Sequence, residues 1–257
     1  MATQEPLVRF YDLSGPKPWS PACWVTRYAL NFKGIPYTVT KLSYPGIKPK
    51  CEELLKDMTG LEATVPIIEI LQEPYKALND STPIAKLLNE RFTEADGYKH
   101  LKDVEKLDAY EEAYPSRGVF MSLSSGDLAQ KVTFCSANKL AGIVYDVWAN
   151  ALDPSDGSKE YFKETREKIL GMPLKDLLEV KGGGEELCIE KMKSCWVGLQ
   201  ERMKNEGTGE PTYLDFFDAS IVRWVEAASH EKYEKLLGIY GDDTFIKLMK
   251  KVSPYEA

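Results

Sequence analysis

The stretch 65–92, VPIIEILQEPYKALNDSTPIAKLLNERF, carries the pattern of two strands followed by a helix. The apolar run Val65–Ile70 is typical of a buried strand, and Tyr75–Leu78, which follows a Gln-Glu-Pro turn, is most simply its hairpin partner. Ser81 is a good helix cap, and apolar residues recur on one side of the chain from Ile84 onward. This stretch therefore predicts a ββα unit.

The residues before this stretch predict a βαβ unit. Leu7–Tyr11 is short and apolar, and Tyr37–Lys41 alternates with two threonines, so both segments indicate strands. Between them, Ser20 and Pro21 predict the start of a helix, because proline suits the first helical turn, and Gly34 predicts its end. The buried face of this helix recurs at i, i+3, i+4 and i+7: Val25, Tyr28, Ala29 and Phe32.

The second half of the chain has a different pattern. Thr93–Lys102 is polar and contains Gly97, which is typical of a linker. Strand signals stop after it, and apolar stripes with helical spacing follow at Cys188–Met203, Phe217–Ala228 and Phe245–Val252. We therefore expect an α/β domain over 1–92, a linker over 93–102 and an all-helical domain over 103–257.

Composition excludes several classes of function. The 257 residues are 43% hydrophobic and 28% charged, an ordinary soluble composition, and the net charge of −7 argues against binding to nucleic acid or to an anionic membrane. No apolar run approaches the roughly 18 residues that span a bilayer. Because residues 1–6 also lack the apolar core of a secretory signal, we expect a cytoplasmic protein. The five cysteines form no CxxC and the two histidines lie far apart, so we expect no metal site.

The segment 19–23, WSPAC, contains the first candidate for chemistry. Ser20 follows the first strand, at the mouth of the first helix, where unpaired N–H groups and the helix dipole stabilise an anion such as a thiolate. Ser20 could also simply cap the helix, and the two roles can coexist. Cys23, one turn further in, is expected in the core rather than as a nucleophile. Without a leading cysteine, thiol–disulfide exchange is the least expected activity.

Two further places could hold parts of a ligand. A cis bond between Val65 and Pro66 would turn the Val65 N–H and C=O outward to pair with an extended peptide, although X-Pro bonds are cis in only about 5–6% of cases. Asp80 and Ser81 begin the third helix, where N–H and hydroxyl groups bind an anion and the carboxylate can accept from an ammonium. The zwitterionic end of an α-amino acid needs that combination, but a plain helix cap explains the same pair.

In combination and order, these features resemble the glutathione transferase superfamily. They are a serine at the first helix, a Val-Pro before the third strand, an acidic-Ser pair at the third helix, and a capping box at Thr212–Asp215 in the helical domain. The segment 19–34, WSPACWVTRYALNFKG, looks like the fungal-specific class A transferases, which are related to bacterial glutathione-dependent lignin β-aryl etherases. The resemblance covers essentially the whole chain.

This resemblance implies a thioredoxin-like α/β domain followed by an all-α domain, glutathione as co-substrate, and a homodimer. It gives Ser20 the role of activating the glutathione thiol. It also implies that Val65 pairs with the cysteinyl backbone of glutathione, while Asp80 and Ser81 hold its γ-glutamyl end.

The expected activity is detoxification: addition of the glutathione thiolate to electrophilic aromatic compounds, or cleavage of aryl ethers, with phenolic or lignin-derived molecules as substrates. The alternative is a non-catalytic carrier that binds glutathione and sequesters aromatic compounds. We expect the apolar-ligand site to be lined by Trp19, Trp24, Tyr114 and Phe120, although such aromatics more often belong to a core. The segment 154–184 could reshape this site or merely decorate the surface.

Overall fold

The computed structural model describes residues 5–55, 63–113, 141–179, 193–205 and 209–257. Its N-terminal part contains a four-stranded mixed sheet with the order β2-β1-β3-β4, in which β1 pairs parallel with β2 and antiparallel with β3, and β3 pairs antiparallel with β4. The strands are β1 (Val8–Leu13), β2 (Tyr37–Leu42), β3 (Ile67–Ile70) and β4 (Lys76–Asn79). The predicted βαβ–ββα order is confirmed.

Three helices accompany this sheet: α1 (Pro21–Lys33), α2 (Ile47–Leu54) and α3 (Ser81–Arg91). Both predicted ends of α1 are confirmed, since Ser20 is its N-cap and Gly34 closes it in the left-handed conformation at φ 71°. Helix α2, the shortest of the three, begins at Ile47. A 3-10 turn at Tyr44–Gly46 leads directly into it, and no residue pattern announced that turn.

Strand register brings the candidate residues to one edge of the sheet. Tyr11 on β1 faces Ile67 on β3, and Ile67 faces Asn79 on β4. The chain therefore leaves β1 towards Ser20 at the same edge where Val65 leads into β3 and Asp80 leaves β4.

The described remainder of the chain is helical, so the predicted fold class, an α/β thioredoxin-like domain followed by an all-α domain, is confirmed. Its α-helices are α4 (Leu107–Ala113), α5 (Ala141–Asp146), α6 (Ser158–Leu170), α7 (Val197–Asn205), α8 (Tyr213–Ala228), α9 (His230–Leu237) and α10 (Thr244–Val252). A π-helical turn, Val147–Ala151, follows α5. None of the described helices is long and apolar enough to cross a membrane.

Helix α8 is the centre of the helical domain. The predicted capping box at its start is confirmed, with the Asp215 carboxylate accepting from the Thr212 N–H at 2.9 Å. Its Phe216 is fully buried and stacks on Tyr28 of α1, with ring centroids 5.2 Å apart and planes 8° from parallel. The two domains therefore share one apolar core along α1 and α8.

One predicted helical stripe differs from the structure. The apolar pattern over 188–203 predicted a single helix, but the chain forms a 3-10 turn at Lys193–Trp196 before α7 begins at Val197, and 180–192 lies outside the described residues. Trp196 is buried in that turn and packs edge-on against Phe245 at 5.0 Å. Trp196 fits the helical spacing of the apolar residues because it packs on α10, although the turn that carries it is not part of α7.

Candidate functional site

Ser20 sits at the N-terminus of α1 with 6% of its surface exposed. Its Oγ accepts a hydrogen bond from the Cys23 N–H at 3.4 Å, which is a helix-capping contact. Accepting this bond leaves the hydroxyl proton available to donate to an anion at the helix mouth.

Cys23 is an unreactive neighbour of that hydroxyl. The thiol is free and buried, with 2% exposure. Burial and the nearby charge of Asp12 raise the pKa of the Cys23 thiol well above its ordinary value, although the Ser20 hydroxyl acts in the opposite direction. Because the thiolate is the nucleophilic form, a buried thiol that stays protonated is a poor nucleophile.

The peptide bond between Val65 and Pro66 is cis. Within the described parts of the chain, no group accepts from the Val65 N–H, and the Val65 carbonyl accepts only the Thr64 hydroxyl, at 3.2 Å. The Pro66 carbonyl accepts from the Asp80 N–H at 3.1 Å, which fixes this bond beside the start of α3. Val65 thus offers a donor and an acceptor to an extended peptide.

Asp80 has an unusual backbone, with φ 72° and ψ 132°, in a region that residues other than glycine seldom occupy. It stands at the N-cap position of α3, yet its side chain makes no capping bond. The N–H and hydroxyl of Ser81 likewise have no partner among the residues described. Backbone strain at Asp80, together with its uncommitted carboxylate and the two free donors of Ser81, favours a ligand site over a plain cap.

Two of the four aromatic residues expected to line an apolar site belong to the described chain. Trp19 is 4% exposed and donates from Nε1 to the Ser14 carbonyl at 3.0 Å, and Trp24 is 9% exposed and donates to the Pro18 carbonyl at 3.2 Å. Both indoles are therefore buried and tied to the loop before α1. Tyr114 and Phe120 lie outside the described residues.

A closed set of contacts beside this loop was not predicted from the sequence. We call it the Asp156 ring, and its members are Ser14, Trp19, Tyr44, Asp156 and Ser158. Ser14 Oγ donates to Asp156 Oδ2, and the Ser158 N–H donates to Asp156 Oδ1 at 2.9 Å. Ser158 Oγ accepts from the Tyr44 N–H at 2.9 Å. Trp19 stacks on Tyr44 with centroids 6.0 Å apart, and its bond to the Ser14 carbonyl closes the ring.

The Asp156 ring places part of the segment 154–184 against the thioredoxin-like domain. Tyr44, in the turn after β2, also lies against Phe162 of α6 at 5.5 Å, and the Arg166 guanidinium lies over the Tyr44 ring at 5.6 Å. The described part of the segment is therefore a domain contact next to the candidate site. No local sequence signal could have found it, because Ser14 and Asp156 are 142 positions apart.

No three histidine, cysteine or acidic side chains come together in a group that could hold a metal ion, as far as the described ranges extend. The arrangement supplies instead a hydroxyl donor at a helix mouth, a backbone donor and acceptor, and a carboxylate beside a helix N-terminus, all at one edge of the sheet.

Family models and known structures agree with this arrangement. The glutathione S-transferase N-terminal domain matches residues 19–91, and the glutathione S-transferase C-terminal domain matches residues 133–255. The glutathione S-transferase-like protein ustS of Aspergillus flavus is 26% identical, with 91% of this chain and 86% of that protein aligned.

Two solved structures of fungal proteins show the same fold over nearly the whole chain. Glutathione transferase GSTFuA3 from Phanerochaete chrysosporium has a TM-score of 0.73 at 25% identity. Glutathione S-transferase CsGST63524 of Ceriporiopsis subvermispora, solved in complex with glutathione, has a TM-score of 0.71 at 25% identity. Each alignment covers 98% of both chains. The resemblance inferred from residues 19–34 and from the order of the motifs is thereby confirmed, and the chain belongs to the glutathione S-transferase family.

Proposed function

We propose that this chain is a Ser-type glutathione transferase in which Ser20 stabilises the thiolate of bound glutathione. The observation that carries the proposal is the set of uncommitted groups at one sheet edge: the Ser20 hydroxyl proton, the Val65 N–H, the Asp80 carboxylate, and the N–H and hydroxyl of Ser81. Glutathione presents matching groups: the thiol and the peptide groups of its cysteinyl residue, and a zwitterionic γ-glutamyl end.

The energetics of thiol activation are within the reach of Ser20 and α1. A free thiol has a pKa near 8.5, and lowering it by about two requires roughly 2.7 kcal/mol of preference for the thiolate. A hydrogen bond to a charged group contributes about 1.5–3 kcal/mol. The dipole of α1 contributes about 0.3–1 kcal/mol more. Together these two effects make the thiolate the main form at neutral pH, ready to attack an electrophilic carbon.

Substitution of Ser20 by alanine tests this role. We expect Ser20→Ala to fold and to bind glutathione, but to raise the pKa of the bound thiol by one or more and to slow conjugation. The thiolate absorbance of the complex, titrated against pH, measures the first effect. Cys23→Ala is the matched control and leaves that pKa unchanged, because the buried Cys23 thiol stays protonated. An unaltered pKa in Ser20→Ala would exclude Ser20 as the activating residue.

Asp80→Asn separates ligand binding from helix stability. Asparagine tolerates the positive φ of Asp80, and no capping bond of the side chain is lost. We expect weaker glutathione binding by calorimetry, an unchanged melting temperature, and nearly unchanged binding of apolar ligands. Ser81→Ala should behave in the same way. Equal losses for both ligands would mean that the substitutions disturb α3 rather than a glutathione contact.

The second substrate in this proposal is a flat aromatic molecule, as in the transfer of glutathione to an electrophilic arene or the cleavage of an aryl ether. Trp19 and Trp24 lie on either side of Ser20 in the sequence, and an aromatic pair between such a ring and a ligand contributes about 0.5–1.5 kcal/mol beyond area burial. Quenching of tryptophan fluorescence by phenolic and aliphatic ligands of equal apolar area tests this. Equal affinity for both classes would contradict an aromatic site.

A homodimer is the proposed assembly. Two apolar side chains in the β3–β4 hairpin are exposed: Leu71, with 37% of its surface accessible, and Tyr75, with 46%. Burial of such groups against a second copy favours association. Light scattering at micromolar concentration should give twice the chain mass of 29.0 kDa. A mass of one chain would refute it.

A further inference from the structure

The Asp156 ring is joined directly to the residue that the proposed function uses. Trp19 precedes Ser20 in the chain. Its indole stacks on Tyr44 and its Nε1–H donates to the Ser14 carbonyl, and both of these residues belong to the Asp156 ring. The first helical turn, whose N–H bonds to Ser20 Oγ, follows at once. The orientation of the Ser20 hydroxyl therefore depends on where this loop is held.

The surroundings of the ring leave the loop little room to shift. Trp19 is 4% exposed and Ser158 is 1% exposed. A side-chain carbon built on Gly15, next to Ser14, would lie 2.4 Å from the Ala151 carbonyl oxygen and 2.9 Å from the Trp19 ring. The loop thus passes against the backbone of the helical domain at the distance of direct contact.

Asp156 is the residue through which the two sides of the ring meet. Burial raises the pKa of its carboxyl, but hydrogen bonds from Ser14 and Ser158 outweigh that effect and hold the pKa below its ordinary value. The side-chain hydrogen bonds that its carboxylate accepts within the described chain come from Ser14 and Ser158. Its negative charge is directed at the donors of Ser14 and Ser158, and such charge-assisted bonds are roughly twice as strong as neutral ones.

We propose that Asp156 is a positioning residue for Ser20: from the helical domain, it holds the loop 14–19 of the thioredoxin-like domain and so fixes where the Ser20 hydroxyl points. This inference rests on the proposed function of Ser20 and adds to it a contact made across the domain boundary. It also gives the described part of the segment 154–184 a role at the site rather than on the surface.

A double-mutant cycle on Ser20 and Asp156 tests this inference. Asp156→Ala should raise the pKa of the bound glutathione thiol by about one and lower kcat about tenfold, with little change in the KM for glutathione. In a Ser20→Ala background, the same substitution should leave the thiol pKa nearly unchanged, because the group that Asp156 positions is already absent.

Two further variants separate positioning from general stability. Asp153→Ala is the matched control, since Asp153 lies three positions before Asp156 and, among the described residues, bonds only within its own turn, to the Ser155 N–H and hydroxyl. It should leave the thiol pKa and kcat unchanged. Asp156→Asn keeps the shape but can accept only one of the two bonds, from Ser14 or from Ser158, so it should restore part of the lost kcat.

The outcomes distinguish this inference from the proposed function. If Ser20→Ala leaves the thiol pKa unchanged, the Ser-type mechanism fails, and the positioning role of Asp156 fails with it. If Ser20→Ala raises the pKa but Asp156→Ala does not, only the positioning role fails. Equal effects of Asp156→Ala with and without Ser20 would show that Asp156 does not act through Ser20. Melting temperatures of all variants confirm that each is folded under assay conditions.

Discussion

The two ends of α1 contact the helical domain in different ways. At the N-terminal end, the contact is the Asp156 ring, in which hydrogen bonds through Asp156 and Ser158 hold the loop before Ser20. At the C-terminal end, the contact is an aromatic cluster that we call the Phe216 stack. Its members are Tyr28, Phe32, Phe216 and Tyr255, with centroid separations from 5.2 to 5.9 Å.

This difference corresponds to two different tasks. Apolar contact is non-directional and roughly proportional to the area buried, so the Phe216 stack contributes stability and tolerates small shifts. Hydrogen bonds weaken steeply with misalignment, so the Asp156 ring fixes geometry more than it contributes energy. The directional contact lies beside Ser20, where about 1 Å of displacement matters for catalysis, and the non-directional one lies at the far end of the helix.

The largest effect is expected from Phe216→Ala. Phe216 is fully buried between α1 and the C-terminal turn, so its removal should lower the free energy of unfolding by about 3–5 kcal/mol. Urea unfolding measures this loss. The activity per folded molecule, assayed at low temperature, should change less than twofold, because no member of the Asp156 ring is touched.

Ile246→Ala is the control for that prediction. Ile246 is 55% exposed on α10, so its truncation removes a large apolar side chain without opening a core. We expect a change within about 0.5 kcal/mol. If Phe216→Ala lowered kcat as strongly as it lowered stability, the separation of tasks between the two ends of α1 would be wrong.

Gly15→Ala is the converse experiment at the N-terminal end. A methyl group at Gly15 meets the Ala151 carbonyl oxygen at 2.4 Å, which is backbone and cannot swing aside, so the loop 14–19 must move. Overpacking of this kind costs about 1–3 kcal/mol. We expect a smaller loss of stability than for Phe216→Ala but a larger loss of kcat, measured in steady-state assays on the folded protein.

Gly238→Ala is the control for Gly15→Ala, because it adds the same methyl group where there is room for it. A side-chain carbon there would lie 3.9 Å from its nearest neighbour, the Lys235 carbonyl oxygen, which is an ordinary contact. Neither stability nor kcat should change appreciably. Normal kcat in a folded Gly15→Ala protein would show that the position of this loop does not matter for the reaction.

Local residue chemistry was sufficient to predict much of the fold. Helix α1 begins after Ser20, whose side chain caps a helix start, and ends at Gly34, which adopts the left-handed backbone of a helix end. Thr212 and Asp215 form their capping box within one helical turn. Local patterns also identified Val65, before a proline, and Asp80, at a helix start, as candidates for ligand binding. Their free groups, however, became evident only from the structure, since hydrogen-bond partners depend on the whole fold.

Contacts between distant segments could not be predicted in this way. No local sequence pattern around Ser14, Tyr44 or Asp156 indicates that these residues contact one another. Only the docking of α6 against the turn after β2 brings them together. The domain boundaries 1–92 and 103–257 remain predictions. Lys99 and Leu101 of the expected linker bond to Lys33 and Asn89, and such contacts between distant segments cannot be predicted from the linker's own sequence.

The smallest effect, and the most specific to the C-terminal end of α1, concerns Lys33. This lysine is 3% exposed, and its Nζ donates to Asn89 Oδ1 at 3.1 Å and to the Lys99 carbonyl at 2.6 Å. Burial lowers the pKa of Lys33 from 10.5 to about 8, although the charge of Glu94 opposes the shift. The folded chain therefore releases this proton at lower pH than the unfolded chain does.

The sign of the resulting pH dependence follows from proton binding. Below about pH 8, Lys33 is charged in both states and the cost of burying the charge is fully present. Between about pH 8 and 10.5 the unfolded chain binds more protons, so this contribution to stability increases with pH. In urea unfolding at pH 7, 8 and 9, the wild-type chain should gain about 1 kcal/mol more than Lys33→Met over that range. Lys86→Met, which replaces an exposed lysine on α3, should follow the wild type. Parallel curves for Lys33→Met and the wild type would mean that Lys33 remains charged at pH 9 and that burial does not lower its pKa.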